Sequence, residues 1–324
     1  MKEKFPIVMG IININSDSFY AKSRETEPEL VCKKGLSFLR DGASIIDLGA
    51  CSTRPGSIPI SCEEETTLLK ESLNLLKNTL LEYLRSRSIE IGSKIEDEIE
   101  NATVNEIVRD IGNERTAFRN LISIDTFRSE VVEMAYEILG EFTVNDISAG
   151  EADSKMLATV ARLNLPYIAM YNTPVADACE GIYNGNTKIN CKGITGYTPK
   201  SYKEPKDDIV EKTFNFFKEF EIKAKRAGIK EWILDPGFGF GKTLEQNYLL
   251  LKELERFRDF RVPILVGISR KSMIYKLLNT TPEDSLNATT AINFYALTKG
   301  ADILRVHDIV PAVQCIKMFK KCGK

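Results

Sequence analysis

The chain has 324 residues, of which 43% are hydrophobic and 28% are charged, and its formal net charge at pH 7 is −2. This length allows one large domain or two ordinary ones with a sizeable buried core, and the composition is ordinary for a soluble globular protein. Because the charge is almost balanced, the protein has no strong positive potential that would attract nucleic acid or an anionic membrane, so neither is expected as a partner.

The cysteines and the chain start predict the compartment. The seven cysteines never form Cys-x-x-Cys pairs, which favours reduced thiols in a cytosol over a disulfide framework or a zinc site. His307 is the single histidine, which argues against a His-rich metal centre. No apolar run approaches the roughly 18 residues of a membrane span, and the start MKEKFPIVMG lacks the features of a secretory signal. We therefore expect a cytoplasmic protein.

Strand-length apolar runs recur along the chain, and each is followed by a helical pattern. The eight runs cover residues 7–13, 44–49, 121–125, 143–147, 167–170, 232–236, 264–269 and 303–307. Continuous Val, Ile and Leu runs suit parallel strands buried on both faces, and the segments between them are amphipathic. Eight such units predict an α/β fold of the (β/α)8 TIM-barrel type in a single domain. A doubly wound open sheet is the alternative, and it normally has fewer repeats.

Two stretches exceed a minimal barrel. Residues 77–119 keep isoleucines at helical spacing among many charges, which predicts an added helical hairpin or an extended helix pair. Residues 175–206 are rich in Gly, Asn, Thr and Lys and read as a long surface loop.

Polar side chains stand at or near the C-terminal ends of seven of the eight runs. They are Asn13, Asp47, Asp125, Asn145, Asp146, Asp235, Ser269, Lys271, Arg305 and His307. Any single Asp or Asn at such a place is commonly a turn former. In a barrel, however, these ends form one rim, and substrates bind at that rim.

The stretch LDPGFGFGKT, residues 234–243, resembles a phosphate-binding loop but fits neither common type. A P-loop requires glycine where Pro236 stands, and a dinucleotide fingerprint requires its last glycine where Lys242 stands. We expect these glycines to let the backbone turn sharply and approach a flat ligand, with Phe238 and Phe240 as candidate walls of an aromatic pocket.

Two groups of rim residues suggest ligand chemistry. Asp125, Asn145 and Asp235 offer acceptors and an amide that suit a planar heterocycle with adjacent N–H groups, and Lys271 complements a ring carbonyl. For any one of these Asp residues alone, a hydrogen bond inside the barrel is the better explanation. Arg305 and His307 belong to the run next to Asn13 once the barrel closes, which makes a phosphate or diphosphate site credible. The loop STRPGS, residues 52–57, adds hydroxyls and Arg54.

Seven motifs together resemble the dihydropteroate synthase family, a family of pterin-binding enzymes. In chain order they are MGIININSDSF, GACSTRPGS, ISIDTFRSEVV, VNDISAG, LDPGFGFGKT, VGISRKSMI and LRVHD. They run from about residue 7 towards the C-terminus, and the segments DPGFGFGKTLEQNY and GISRKSMIYKLL are particularly similar to the form found in Bacteroides-like bacteria.

The resemblance implies that the chain condenses 6-hydroxymethyl-7,8-dihydropterin diphosphate with 4-aminobenzoate in folate synthesis, as a homodimer that uses Mg²⁺. It implies a pterin site at Asp125, Asn145, Asp235 and Lys271. It implies a diphosphate pocket at Asn13, Thr53, Arg305 and His307, with Asn13 also the metal contact. The 4-aminobenzoate site is implied at Thr53, Arg54, Pro55, Phe240 and Ser269. The catalytic set is then Asn13, Arg54, Lys271, Arg305 and His307.

This chain also departs from the family pattern. Asn15 and Ser16 replace the usual Thr-Pro of the first loop, Cys51 replaces a residue that is often acidic, and Tyr171 replaces the usual histidine after the fifth run. Without the proline, the first loop is less restricted in the unliganded state. Two alternatives therefore stay open: a non-catalytic pterin-binding relative and a pterin-dependent methyltransferase, which needs no diphosphate pocket. A purely structural barrel does not account for the ordered rim.

Overall fold

The structure is a computed structural model that describes residues 6–14, 27–51, 60–93, 116–172 and 209–322. Its strands are β1 (Ile7–Asn13), β2 (Ile45–Gly49), β3 (Ile122–Asp125), β4 (Thr143–Asp146), β5 (Tyr167–Met170), β6 (Trp232–Asp235), β7 (Leu265–Val266) and β8 (Ile303–Val306). The described α-helices are α1 (Glu27–Arg40), α2 (Cys62–Ser93), α3 (Ser129–Leu139), α4 (Met156–Leu163), α5 (Ile209–Ala227), α6 (Leu244–Lys252), α7 (Ser272–Tyr275), α8 (Leu286–Thr298) and α9 (Ile309–Cys322). Short 3-10 helices at Leu254–Phe260 and Glu283–Ser285 precede β7 and α8.

The strands form one closed parallel barrel. Their order is β6-β5-β4-β3-β2-β1-β8-β7, and an isolated parallel bridge from Leu234 of β6 to Ile264, just before β7, joins the two edges. The Leu234 N–H donates to the carbonyl of Pro263 at 2.9 Å across this seam. The predicted (β/α)8 barrel is confirmed, and the open doubly wound sheet is excluded because that sheet leaves two free edges.

The inside of the barrel is filled by a compact layer of apolar side chains. Buried residues from five strands make up this layer, and they are Met9, Ile45, Ile168, Leu265 and Ile303. Because successive side chains of a strand point to opposite faces, the residues two positions further on also point inwards. By this rule Asp47 and Arg305 also point into the barrel, nearer the C-terminal ends of the strands. We call this end of the barrel the mouth.

The helices pack around the strands through a second, larger core. On α5, Phe217 and Phe220 are buried and contact Trp232 of β6, with ring centroids 6.2 and 5.1 Å apart. Among the described residues, no helix is both long and apolar enough to span a membrane.

Asp146 is a rim residue whose carboxylate points out of the barrel. It is fully buried and accepts hydrogen bonds from the Ser148 N–H and Oγ, the Gly150 N–H and the Tyr167 hydroxyl. Four donors satisfy this carboxylate, so it fixes the turn after β4 against β5. For Asp146 the structure supports the turn-forming role that any strand-end aspartate can have.

The first predicted insertion begins as a continuation of α2. This helix starts at Cys62 and reaches Ser93, so residues 77–93 extend the helix that follows β2, and residues 116–120 form a turn that leads into β3. The predicted helical hairpin is otherwise untested, because residues 94–115 lie outside the described part of the chain. The predicted loop at 175–206 also lies outside it.

Replacing Tyr167 with phenylalanine tests the outward role of Asp146. The Tyr167 hydroxyl donates to Asp146 at 2.6 Å in a fully buried setting. We expect Tyr167→Phe to lower the free energy of unfolding by about 1–2 kcal/mol, because a buried acceptor loses a donor. Tyr295→Phe, at a tyrosine that is 39% exposed, is the control and should change it by less than about 0.5 kcal/mol in urea titrations. Equal stability of the two variants would contradict the assignment.

Candidate active site

An ion-pair cluster lies at the centre of the mouth. Arg305 of β8 donates from Nε to Asp47 of β2 at 2.7 Å and from Nη2 to Asp125 of β3 at 2.6 Å. The same Nη2 lies 2.6 Å from Asp47 Oδ2. The sequence therefore brings together three side chains from three strands, as the rim prediction requires.

Asn145 joins this cluster from β4. Its Nδ2 lies 3.3 and 3.2 Å from the two Asp47 oxygens, which orients the amide and turns its carbonyl oxygen away from Asp47. Asp47 thus holds both Asn145 and Arg305. Sequence reasoning placed Asp47 on the rim but assigned it no site role, because the pattern shows which face a residue occupies and not which partners it meets.

Burial affects the pKa values of Asp125 and Arg305. It raises the pKa of Asp125 to about 7, against the opposing effect of Arg305 and with the help of the negative charge on Asp47. Burial also opposes the charge on Arg305, but Asp47 and Asp125 outweigh it, so the pKa of the guanidinium is raised. Asp125 therefore changes charge near neutral pH, whereas Arg305 stays cationic.

Asp235 and Lys271 form the opposite side of the mouth. Burial raises the pKa of Asp235, although the nearby Lys271 charge favours its ionised form. Burial lowers the pKa of Lys271 to about 8 against the attraction of Asp235. The Lys271 Nζ donates to the Phe238 carbonyl at 2.5 Å and lies 4.4 Å from the centre of the Phe240 ring. All four residues predicted for the pterin are thus at the mouth.

The glycines after β6 have a steric explanation. Gly237 has φ of 70°, and a Cβ there would lie 2.1 Å from the Tyr171 carbonyl oxygen. Its N–H donates to Asp235 Oδ1 at 2.8 Å. Glycine is needed here because the loop turns through a left-handed conformation against the end of β5. The sharp turn predicted from the sequence is confirmed.

An apolar wall borders the polar groups. Phe127, Ile147 and Met170 form a small buried cluster, and Phe240 and Cys51 pack against it. Phe238, in contrast, is buried in the core between strands and helices. Sequence reasoning found Phe240 but missed Phe127, Ile147 and Met170, although Phe127 and Ile147 each stand two residues beyond a predicted polar contact.

Asn172 is a further residue that the sequence did not reveal. It lies two positions beyond Met170 and is only 4% exposed, and neither of its amide atoms has a hydrogen-bond partner in the described structure. A buried amide without partners is costly unless a ligand or water pairs with it. We count it among the candidate substrate contacts.

Ser269 and His307 lie on neighbouring segments beyond β7 and β8. The His307 N–H donates to Ser269 Oγ at 3.3 Å. Arg270 and Asp308 brace these segments through two hydrogen bonds of 2.8 and 3.0 Å. This bracing pair, which sequence reasoning also missed, fixes the backbone that carries both predicted site residues.

Asn13 ends β1 beside Gly49 of β2 and is partly buried. Within the described residues no group of three or more His, Cys, Asp or Glu is arranged to hold a metal ion. The side chain of Asn13 carries an amide oxygen, which is a hard ligand of the kind that Mg²⁺ takes beside phosphates.

Arg128 holds the chain at Ile60, just after the segment that contains the predicted loop of residues 52–57. Arg128 donates to the Ile60 carbonyl at 2.8 Å and pairs with Glu65, whose side chain is fully buried. Cys51 lies just before residues 52–57. Burial and, to a smaller extent, the negative charge of Glu65 raise the pKa of its thiol to about 11, so the thiol stays protonated. Thr53, Arg54 and Pro55 lie outside the described residues, as do Asn15 and Ser16, so their predicted roles stay predictions.

Tyr171, which replaces the family's usual histidine, points away from the mouth. Its ring is 6% exposed and packs on Phe216 of α5, with ring centroids 5.0 Å apart. The substitution therefore changes the packing of β5 on α5 and leaves the polar cluster intact.

Comparisons with known proteins agree with this geometry. The family model described as pterin binding enzyme matches residues 9–86 and 88–307. The dihydropteroate synthase of Escherichia coli (strain K12) is 32% identical over 319 residues, covering 97% of this chain and 91% of that protein. The enzyme of Clostridium beijerinckii is 32% identical over 314 residues, covering 96% and 92%.

Solved structures give the same result. The Xanthomonas albilineans dihydropteroate synthase with 4-aminobenzoic acid superposes with a TM-score of 0.73 at 28% identity, covering 98% of this chain and 93% of that one. Its complex with 7,8-dihydropteroate gives 0.70 at 26% identity, covering 98% and 94%. The chain therefore belongs to the pterin-binding enzyme family and, within it, to the dihydropteroate synthases.

Proposed function

We propose that the chain transfers the pterin-methyl group of 6-hydroxymethyl-7,8-dihydropterin diphosphate to 4-aminobenzoate, forming 7,8-dihydropteroate and releasing diphosphate. The observation that carries this proposal is the convergence of Asp125, Asn145, Asp235 and Lys271 on one mouth. One relative supports the choice of substrates, since the Xanthomonas albilineans enzyme was solved both with 4-aminobenzoic acid and with 7,8-dihydropteroate.

The pterin ring binds between the polar cluster and the apolar wall. Asp125 and Asp235 accept hydrogen bonds from ring N–H groups, and the oriented amide of Asn145 adds a further contact. Lys271 donates to the ring carbonyl. The side chains of Met170 and Phe240 cover the ring faces, which excludes water and strengthens the hydrogen bonds.

The reaction is a displacement at the exocyclic carbon of the pterin. The neutral aniline nitrogen of 4-aminobenzoate forms a bond to this carbon, the carbon–oxygen bond breaks, and diphosphate leaves while the nitrogen loses a proton to solvent. Arg305, His307 and Asn13 bind the departing anion, whose negative charge increases in the transition state. Ser269 and Phe240, with Thr53, Arg54 and Pro55, hold the aminobenzoate. No covalent enzyme nucleophile is needed.

Asn13 is the proposed protein contact of Mg²⁺. Its side-chain oxygen is a hard ligand of the type that this ion prefers, and the diphosphate supplies further oxygens. When bound, the ion neutralises part of the leaving-group charge. A dependence of turnover on Mg²⁺ that weakens in Asn13→Ala supports this role.

We also propose that the protein acts as a cytoplasmic homodimer. The near-neutral charge, the scattered cysteines and the family resemblance support this, and sedimentation of the purified protein measures the assembly state.

The test of the function is turnover with both substrates and Mg²⁺, measured together with pterin binding. Formation of dihydropteroate supports the proposal. Pterin binding without product identifies a non-catalytic binding protein, and preferential binding of methyltetrahydrofolate identifies a methyltransferase. Either result refutes the proposed reaction.

Removing the Asp125 carboxylate tests the pterin site. Asp125→Ala should weaken binding of the pterin diphosphate by about 1–3 kcal/mol, because ring donors lose their acceptor inside a buried site. Asp259→Ala, at an exposed residue before β7, is the matched control and should bind as the unmodified protein does. Isothermal titration measures both affinities. Unchanged affinity in Asp125→Ala would refute the assignment.

The pH dependence of pterin binding tests the charges in the mouth. Binding needs Asp125 ionised as an acceptor and Lys271 protonated as a donor, and their pKa values are about 7 and about 8. Affinity should therefore rise as pH increases through the first value and fall through the second. The diphosphate-free 6-hydroxymethyl-7,8-dihydropterin avoids titration of the phosphates. An affinity that stays constant from about pH 6 to about pH 9 would contradict these charges.

Arg305→Ala tests recognition of the anion. The variant removes the cation that pairs with Asp47 and Asp125, so the mouth becomes less positive and attracts a diphosphate less, whereas a neutral ligand does not respond to that charge. Affinity for the pterin diphosphate should fall several-fold more than affinity for the diphosphate-free hydroxymethylpterin. If affinity for the two ligands falls equally, Arg305 contributes to binding of the pterin ring and not to recognition of the diphosphate.

A further inference from the structure

Lys242, at the end of the loop that joins β6 to α6, has no role in the site as predicted from the sequence. Its Nζ donates to three backbone carbonyls, those of Tyr171 at 3.0 Å, Gly237 at 2.8 Å and Phe240 at 3.2 Å. It also lies 4.8 Å from the centre of the Tyr171 ring. One ammonium group therefore joins the end of β5 to both ends of the loop of residues 237–241, which we call the glycine loop.

The glycine loop is held from two further directions. Gly237 donates to Asp235, as described above, and the Gly239 N–H donates to Asn247 Oδ1 at 2.7 Å. Asn247 is buried on α6, and its Nδ2 donates a hydrogen bond to the Thr243 carbonyl at 2.6 Å. Among these contacts, only that of Lys242 spans from the loop to β5.

The shape of the glycine loop decides where Lys271 lies. Phe238 supplies the carbonyl that accepts from the Lys271 Nζ, and Phe240 supplies the ring beneath it. At Gly239 an added Cβ would lie 3.0 Å from Lys271 Cδ, so the loop backbone packs directly along the lysine side chain. A displaced loop therefore changes the acceptor, the ring and the packing of Lys271 together.

We propose that Lys242 is a positioning residue for Lys271, because its ammonium group holds the glycine loop in the shape that presents the Phe238 carbonyl and the Phe240 ring to that side chain. The proposal rests on the proposed function, in which Lys271 binds the pterin carbonyl. Lys242 itself contacts backbone carbonyls and not the substrate.

The test compares Lys242→Met, which removes the amine donors at nearly constant length, with Lys242→Gln, which keeps two N–H donors. Lys252→Met, at an exposed lysine on α6, is the matched control. We expect Lys242→Met to raise the KM for the pterin diphosphate about tenfold, the size of one charged hydrogen bond, while the KM for 4-aminobenzoate stays close to its original value. Lys242→Gln should lie between the two methionine variants, and it replaces Lys242→Met if that variant fails to fold.

A second measurement does not depend on activity. Acetic anhydride labels the Lys271 amine, and mass spectrometry gives the rate of labelling in each variant. Loss of the Phe238 acceptor should make Lys271 label several-fold faster in Lys242→Met than in Lys252→Met. An unchanged or slower rate overturns the proposal whatever the kinetic constants are. If the unmodified protein binds no pterin, the proposed function fails, and the labelling rates alone decide whether Lys242 positions Lys271.

Discussion

The contact of Arg305 with Asp47 and Asp125 is the interaction on which the mouth of the barrel depends. Two carboxylates buried side by side repel each other and lose hydration, and one guanidinium between them offsets both effects. Removing Arg305 would leave both carboxylates without the cation that they share. The cluster also orients Asn145 through Asp47, so three strands and the amide of a fourth depend on the same cation.

This polar cluster is possible because inward-facing residues two positions apart on one strand lie in two different layers of the barrel. The lower layer is apolar and includes Ile45 and Ile303, and the next inward positions on the same strands are Asp47 and Arg305. A (β/α)8 barrel fills its lower interior and leaves the mouth to polar residues and loops. The Asp235–Gly237 turn and Lys271 then complete the site from the far side.

Apolar runs and polar strand ends were sufficient to predict the barrel and its polar rim, whereas the assignment of four rim residues to the pterin came from the family resemblance. The bounds of β7 were predicted less well, since it pairs over Leu265 and Val266 only, although the apolar run covers 264–269. Alternation predicts that Asp47 faces inwards but not that it holds Arg305. The contact of Lys242 with the Tyr171 carbonyl joins residues 71 positions apart, and no local pattern encodes such a contact.

A crystal structure with the pterin diphosphate bound tests the central claim most directly, which is that one mouth collects distant acids, an amide and cations around a flat ring. The account predicts Asp125, Asn145 and Asp235 within about 3.2 Å of ring nitrogens or oxygens, Lys271 near the ring carbonyl, and the diphosphate towards Asn13 and His307. A pterin bound outside this mouth, making no contact with Arg305, Asp47 or Asp125, would contradict the account.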